Sequence, residues 1–320
     1  VASMLFFDFS RTKEDSGTNE FGGRENLGAI QFLKDLNTAI ADNFEGVLTI
    51  AEESSTFPGV THPVAKGGLG FSMKWMMGWM NDTLKYFKND PLVRKYRHHQ
   101  LTFSITYAFT EKFMMPFSHD EVVHGKSSMI YKMPGDEWQK FANLRTLYTY
   151  MFTQPGSKLL FMGNEIAQNG EWNFTRSLDW NLLQYPSHEG MQATVKALNY
   201  LYKTQPALYV NNYSYDSFEW INADDDQHSV YIYQRKGLKA KDTLIIILNL
   251  TPVFRTDYRI GIPFKAKWKE LFNSDDVSFF GSGKVNPGIY LPEQVNWDHR
   301  EYSIQLNIPP LGAVVLKQAC

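Results

Sequence analysis

Apolar positions in the first part of the chain switch repeatedly between two spacings. From Gly23 onward, Leu27, Ile30, Leu33, Leu36 and Ile40 recur every three or four residues, which predicts a helix with one apolar face ending near Asp42-Asn43. The run Val47-Leu48-Thr49-Ile50-Ala51 predicts a short buried strand that stops on Glu52 and Glu53. Pro58-Gly59, Pro63 and Gly67-Gly68 mark residues 54–70 as a loop. A strand follows at 71–75 and a helix at 76–87; residues 101–109 fit either element and are assigned to a helix. Residues 113–117 form another apolar run, which breaks off into Ser118-His119-Asp120-Glu121. Asp136 is placed to cap a helix whose inner face is Trp138, Phe141, Leu144, Tyr148 and Met151, and Pro155-Gly156 ends it. A strand at 158–162 runs into Gly163-Asn164-Glu165, and a helix at 189–203 aligns Met191, Val195, Leu198 and Tyr202.

Short strands alternating with helices of ten or more residues predict a parallel α/β sheet, and strand ends that repeatedly carry acid predict loops converging on one cleft. A (β/α) barrel fits this order best. Only about four βα units are present, whereas a closed (β/α)8 barrel needs eight. The chain is therefore expected to hold the C-terminal half of a (β/α)8 barrel, with the other half upstream; Val1 in place of Met also points to a longer parent chain. Composition shifts near residues 206–213. Beyond it, 229–234, 243–249, 267–272, 302–308 and 311–316 read as strands separated by Asp224-Asp225-Asp226, Arg235-Lys236-Gly237 and Gly281-Ser282-Gly283 turns. The expected organisation is α/β for residues 1–208, followed by an all-β sandwich domain over 209–320, with a role in packing against the barrel or binding polymer away from the cleft.

Bulk properties narrow the function. At 320 residues the chain exceeds the usual size of one core, which favours two domains. The 32 basic and 34 acidic residues nearly cancel, so no electrostatic case arises for nucleic acid or an anionic membrane. No apolar stretch approaches the ~20 residues of a membrane span, and 1–9 lacks the basic start of a signal peptide. The single cysteine, Cys320, excludes an intrachain disulfide and is compatible with a reducing, cytoplasmic setting. Aromatic residues reach 15%; most fill cores, but such flat apolar faces also line sugar-binding grooves.

Carboxylates at separate strand ends suit glycosyl transfer, in which one protonates a leaving oxygen and another attacks or stabilises the anomeric carbon. A zinc-protease helix is rejected by spacing: His119 and His124 are five residues apart, roughly 140° round a helix instead of on one face. A serine hydrolase is rejected because Gly-x-Ser-x-Gly is absent and the adjacent Ser118 and His119 would point apart on a strand.

Four motifs go further. Ala51-Glu52-Glu53-Ser54, the stretch from Phe117 to Lys126 containing Ser118-His119-Asp120-Glu121-Val122-Val123-His124-Gly125, Pro134-Gly135-Asp136-Glu137-Trp138-Gln139-Lys140, and Leu160-Phe161-Met162-Gly163-Asn164-Glu165 together closely resemble the glycogen branching enzymes of the α-amylase superfamily. The resemblance runs from Val1 into the C-terminal region. It implies that Glu52 is the general acid/base, Asp120 the aspartate that stabilises the transition state, and His119 a ligand of substrate hydroxyls. It also implies a nucleophile in Arg-x-Asp-Ala-Val-Ala-Ser-Met; the chain opens at Val1-Ala2-Ser3-Met4, which leaves that Asp two positions upstream. Asp8 lies outside that register and is not assigned the role.

Glu53 and Glu121 flank the implied residues and, on alternating strand geometry, receive support roles. Glu165 either borders the substrate groove or caps structure. Trp75, Trp79 and Trp172 are candidates for stacking on glucose rings, Trp172 first because its neighbours are polar; core packing is the competing role for each. Glu52 must start protonated, which calls for partial burial near other carboxylates. The implied chemistry needs no metal or organic cofactor. Its partners would be an α-glucan such as glycogen, amylose or starch, and the upstream half of the barrel. An α-glucan hydrolase, or for this fragment alone an inactive glucan-binding module, are the alternatives.

Overall fold

The computed structural model of the chain describes residues 1–7 and 17–319; Asp8 and Cys320 fall outside them. The helices are α1 (Ala2–Leu5), α2 (Leu27–Asn43), α3 (Met77–Phe87), α4 (His99–Thr102), α5 (Glu137–Thr153) and α6 (Pro186–Thr204). The first four strands are β1 (Ile50–Ala51), β2 (Met73–Trp75), β3 (Phe113–Phe117) and β4 (Ser157–Leu160), all parallel and in chain order. Local capping chemistry accounts for much of this, as expected at Asp136. Asn26 caps α2 by accepting from Ala29 N at 3.1 Å. Asp136 and Gln139 form a reciprocal capping box at the start of α5. Pro186 occupies the first turn of α6.

Three elements depart from the sequence reading. The strand predicted at 47–51 shrinks to Ile50–Ala51, and Val47 and Leu48 are exposed. Among the described residues it pairs with β2 alone, so the ladder is not extended on its other side. Of the predicted apolar face of α2, only Leu33 is fully buried, against Leu5, Ala51, Val60, Leu69 and Phe71, while Leu36 faces solvent. The helix predicted at 101–109 is instead α4 followed by a 3-10 turn, Phe103–Thr106.

The second part of the chain is an antiparallel sandwich. Six strands order as β10-β9-β12-β7-β6-β5, with β5 at Phe218–Asp225, β6 at Val230–Arg235, β7 at Leu244–Asn249, β9 at Trp268–Asn273, β10 at Ile289–Tyr290 and β12 at Gly312–Gln318. Strands β8 (Arg255–Ile262) and β11 (Tyr302–Ile308) pair across it. Sequence reading missed β5, β8 and β10. In β5 the register slips twice, between Trp220 and Asn222 and again before Asp225, which erases the alternation that would announce a strand.

The centre of the six-stranded sheet, β12, β7 and β6, is buried on both faces. One side of β6 and β7, Val230, Ile232, Ile245 and Ile247, meets Ile260, Ile304 and Leu306 of the smaller sheet. The other, Tyr231, Tyr233, Ile246 and Leu248, joins one cluster with Tyr86 of α3 and Leu144, Tyr148 and Tyr150 of α5. Such an interface traps polar backbone, and three buried guanidinium groups satisfy it. Arg94 donates to the carbonyls of Asn89, Leu250 and Phe87 at 3.2, 3.0 and 2.9 Å. Arg145 donates to Ser274 O at 2.7 Å. Arg235 donates to Ser217 O and Thr153 O at 3.1 and 2.8 Å and to the Asn212 side chain. Burial pulls all three down to about 10, which still leaves them charged at neutral pH.

Arg235→Met is expected to cost about 3 kcal/mol, because methionine fills space but removes the charged donor from the buried Thr153 carbonyl and the Asn212 side chain and leaves the Ser217 carbonyl only the Lys236 amide. Equilibrium denaturation measures this; a loss below about 0.5 kcal/mol, the scale of ordinary surface changes, would refute the role. A second expectation concerns acid. Burial raises the Glu219 carboxyl, but hydrogen bonds from Arg300 and Lys236 outweigh it and bring the group down to about 2 from 4.5. A carboxyl held below its unfolded value stabilises the fold above pH 4.5, and that contribution is lost as pH falls toward 2. Exposure of 37% keeps the effect small through solvent screening. Glu219→Gln should therefore lower the denaturation midpoint near neutrality and converge on wild type as pH approaches 2.

Candidate active site

The C-terminal ends of the parallel strands all open on one edge of the sheet, where loops can converge. At the end of β1, alternation separates two adjacent glutamates. Glu53 follows buried Ala51 to the helix side and is 1% exposed; its Oε1 accepts from Ser55 N at 2.6 Å. Beside it Lys74 donates to Ser55 O at 3.1 Å, its ammonium pulled down by burial and held up by the charges of Glu53 and Glu111. Glu111 in turn accepts from Val60 N and Thr61 N. Glu53 is thus an anchor, and Glu52 is left on the opposite, open side. Glu52 is exposed, not partly buried as its expected role asks, and its carbonyl accepts from the Val1 amino group at 2.6 Å.

Strand β3 is buried along its whole length and ends under aromatic load. Trp79 lies against Phe117, with centroids 5.2 Å apart, and stacks on Tyr150 at 6.0 Å. This is core packing, so Trp79 is removed from the groove candidates. The backbone then turns through a single 3-10 turn, His119–Val122, closed by a capping box: Asp120 N donates to Ser118 Oγ, and Ser118 N donates to Glu121 Oε2 at 2.5 Å. Glu121 is consumed by this cap and buried. His119 and Asp120 are left projecting, 46% and 44% exposed, with Nε2 and Oδ1 3.7 Å apart.

At the end of β4, Gly163 adopts φ of 88°, which a side chain would resist, and starts the turn that carries Glu165. Asn164 is buried and its carbonyl accepts from Tyr148 OH at 3.1 Å; Glu165 is half-buried, close enough for its charge to add to the burial that raises the Tyr148 phenol. Trp172 is half-buried, and its ring meets Phe161 edge-on at 5.2 Å. Phe161 lies 6.0 Å from the His119 ring. Trp172, Phe161, His119 and Asp120 therefore form one continuous surface. Glu52 sits two strands away, ~10 Å across the same edge at ordinary strand spacing, and Trp75 is half-buried at the end of β2 between them.

Sequence reasoning missed three contributors to this surface. Phe161 had been absorbed into a strand run. Glu171 takes the Gly125 and Ser127 amides at 3.0 and 2.7 Å, which lowers its carboxyl. Lys132 donates to the carbonyls of Lys126 and Ser127. The one signal for Glu171 was its position directly before Trp172.

Comparison with known proteins follows this geometry. Residues 220–319 match the family described as the alpha amylase C-terminal all-beta domain. The chain is 55% identical over 317 residues to a 1,4-alpha-glucan branching enzyme GlgB of Nitrosococcus oceani, covering 99% of this chain and 42% of that protein. It is 51% identical to the enzyme of the same name from Aquifex aeolicus, covering 99% and 50%. The chain thus spans about half the length of the relatives it matches. Among solved structures, an α-amylase from Geobacillus thermoleovorans complexed with acarbose superposes with a TM-score of 0.59 at 14% identity, covering 91% of this chain and 57% of that one. AmyP in complex with maltose superposes with a TM-score of 0.62 at 11% identity, covering 90% and 61%. These structures share the fold, a parallel α/β part followed by a β domain. Along nearly all of its length the chain is similar in sequence to 1,4-alpha-glucan branching enzymes, and its residues 220–319 carry the alpha amylase C-terminal all-beta domain.

Proposed function

We propose that the protein containing this chain cleaves an α-1,4-glucan and transfers the released segment to a glucose 6-hydroxyl, forming an α-1,6 branch. The observation that carries this is 55% identity to a branching enzyme across 99% of the chain. In the reaction an aspartate upstream of Val1 attacks the anomeric carbon while Glu52 protonates the departing oxygen. Glu52 then takes the proton of the acceptor 6-hydroxyl as that oxygen displaces the aspartate, so two inversions retain configuration. Asp120 stabilises the oxocarbenium-like charge, His119 binds sugar hydroxyls, and Trp172 and Glu165 border the groove.

What supports these roles is placement: Glu52 and Asp120 project freely from strand ends while Glu53 and Glu121, their neighbours, are engaged structurally. The open outer edge of β1 and the exposed Val47, Leu48 and Ile50 fit covering by the rest of the barrel. We divide the chain after residue 208, where α6 and the turn Pro206–Leu208 end and before β5 begins. Glycogen, amylose or starch is the proposed substrate class, and the cytoplasm the proposed location.

Incubating the full-length protein with amylose tests the reading: iodine colour should fall without matching new reducing ends. Reducing ends that rise in step would make it a hydrolase, and unchanged polymer would remove enzymatic activity altogether. Glu52→Gln and Asp120→Asn in that protein should each lower kcat by about 1000-fold, with folding unchanged by circular dichroism. Activity near wild type in either variant would overturn the corresponding role.

A further inference from the structure

The loop that leaves the Asp120 turn is held in a conformation its sequence does not favour. His124, Gly125 and Ser127 have φ of 56°, 79° and 66°, so two side-chain-bearing residues occupy the left-handed region at about 1 kcal/mol or more apiece. Such backbone persists only where its surroundings over-determine it. Here they do so from both sides. Glu171 accepts from the Gly125 and Ser127 amides, and Trp172 N donates to Val122 O at 3.0 Å. Opposite, Lys132 donates to Lys126 O and, at 2.7 Å, to Ser127 O. Lys132 is 7% exposed at the end of a 3-10 turn, Ile130–Lys132, and it shares the wall of a cavity of about 660 Å³ with Asp120, Glu121, Gly125 and Lys126.

We propose that Lys132 is a positioning residue for the Asp120 turn: its ammonium, working against the Glu171 carboxylate, holds the loop 122–127 in the strained form that fixes Asp120 relative to Trp172. The catalytic part of this inference rests on the function proposed above; the geometric part does not. An anion takes the loop amides and a cation takes its carbonyls, so the segment is gripped through both halves of its peptide groups. A neutral side chain of similar length would leave two carbonyls without a charged donor.

The charge of Lys132 is set by everything packed around it. Burial lowers the ammonium most, Lys88 just past the end of α3 lowers it further, Glu121 and Glu171 raise it, and Lys126 lowers it, with Asp120 and Lys85 also lining the cavity; the result is about 8. The grip is therefore charge-assisted below pH 8 and weakens as pH rises through it. Global stability moves the other way. The unfolded lysine keeps its proton to about 10.5, so between 8 and 10.5 the folded state is relieved of a buried charge and this group's contribution to stability increases. Activity and stability are expected to diverge above pH 8.

In the full-length protein acting on amylose, Lys132→Met should lower kcat by about 100-fold while KM stays within about threefold, the loss typical of a misplaced reacting group. Lys132→Arg, charged at every accessible pH, should restore most of kcat and abolish a decline centred near pH 8 in the wild-type profile. Hydrogen exchange reads the grip without catalysis: the Gly125 and Ser127 amides should exchange faster in Lys132→Met while α5 keeps its protection. Unchanged exchange at those amides, an unchanged kcat in Lys132→Met, or a decline near pH 8 that survives in Lys132→Arg would each overturn the proposal. If wild type shows no transfer, the function reading fails alone, and the exchange experiment still decides the positioning role.

Discussion

The centre of the six-stranded sheet has no face to give to solvent, and most of the molecule follows from that. A sheet covered on both sides needs a second layer on each, and here one layer is a small pair of strands while the other is the helical side of the parallel sheet. Helix ends that abut such a layer leave carbonyls that water cannot reach. Arginine suits these places because its planar fork carries several donors and keeps its charge when buried. Arg94 reaches Phe87 O at the end of α3, and Arg235 reaches Thr153 O at the end of α5, positions where a cation also complements the helix dipole. The two parts of the chain are consequently fastened both by a shared aromatic and aliphatic cluster and by guanidinium groups that bond backbone carbonyls across it.

That fastening is felt at the strand ends. Helix α5 is buried around nearly its whole circumference, and Tyr148 and Tyr150 project from it toward the ends of β4 and β3. Trp79 on α3 closes the same packing from the other side. The side chains at the strand ends are thus carried on backbone whose freedom has been removed from beneath. Their chemistry depends on a division of labour between neighbours: one residue of each acidic pair is spent on the fold, the other faces the open side.

Legibility varied with how far each signal depended on distant contacts. Caps and helix periodicity are local, so Asp136 and the apolar face of α6 spoke clearly from sequence. The roles of Glu53 and Glu121 followed from alternation, and the structure engages both. Strand β1 was over-read because Val47 and Leu48 have strand propensity but no partner across the open edge. β5 and β8 were under-read because bulges and polar residues break the period of two. The contribution of Phe161 was hidden for a different reason: an apolar residue at a strand end looks the same in sequence whether it enters a core or faces a cleft. Glu171 and Lys132 act on peptide groups more than 40 and only five or six residues away, respectively, and neither partner leaves a trace in side-chain pattern.

The shortness of β1 has a consequence for how this fold tolerates change. Two paired residues, Ile50 with Met73 and Ala51 with Lys74, are too few to define an alignment unaided. The alignment is enforced downstream, where the Glu53 carboxylate is seated by Ser55 beside Lys74. Because the next residue back is also a glutamate, gain of one residue between Gly46 and Ala51 would carry Glu52, an identical side chain, into that seat. The slipped pairing would keep the seat filled but leave Ala51 where a carboxylate now faces the open side, with Glu53 displaced one position beyond the seat. Length in this segment, more than residue identity, is what lineages of this fold must keep.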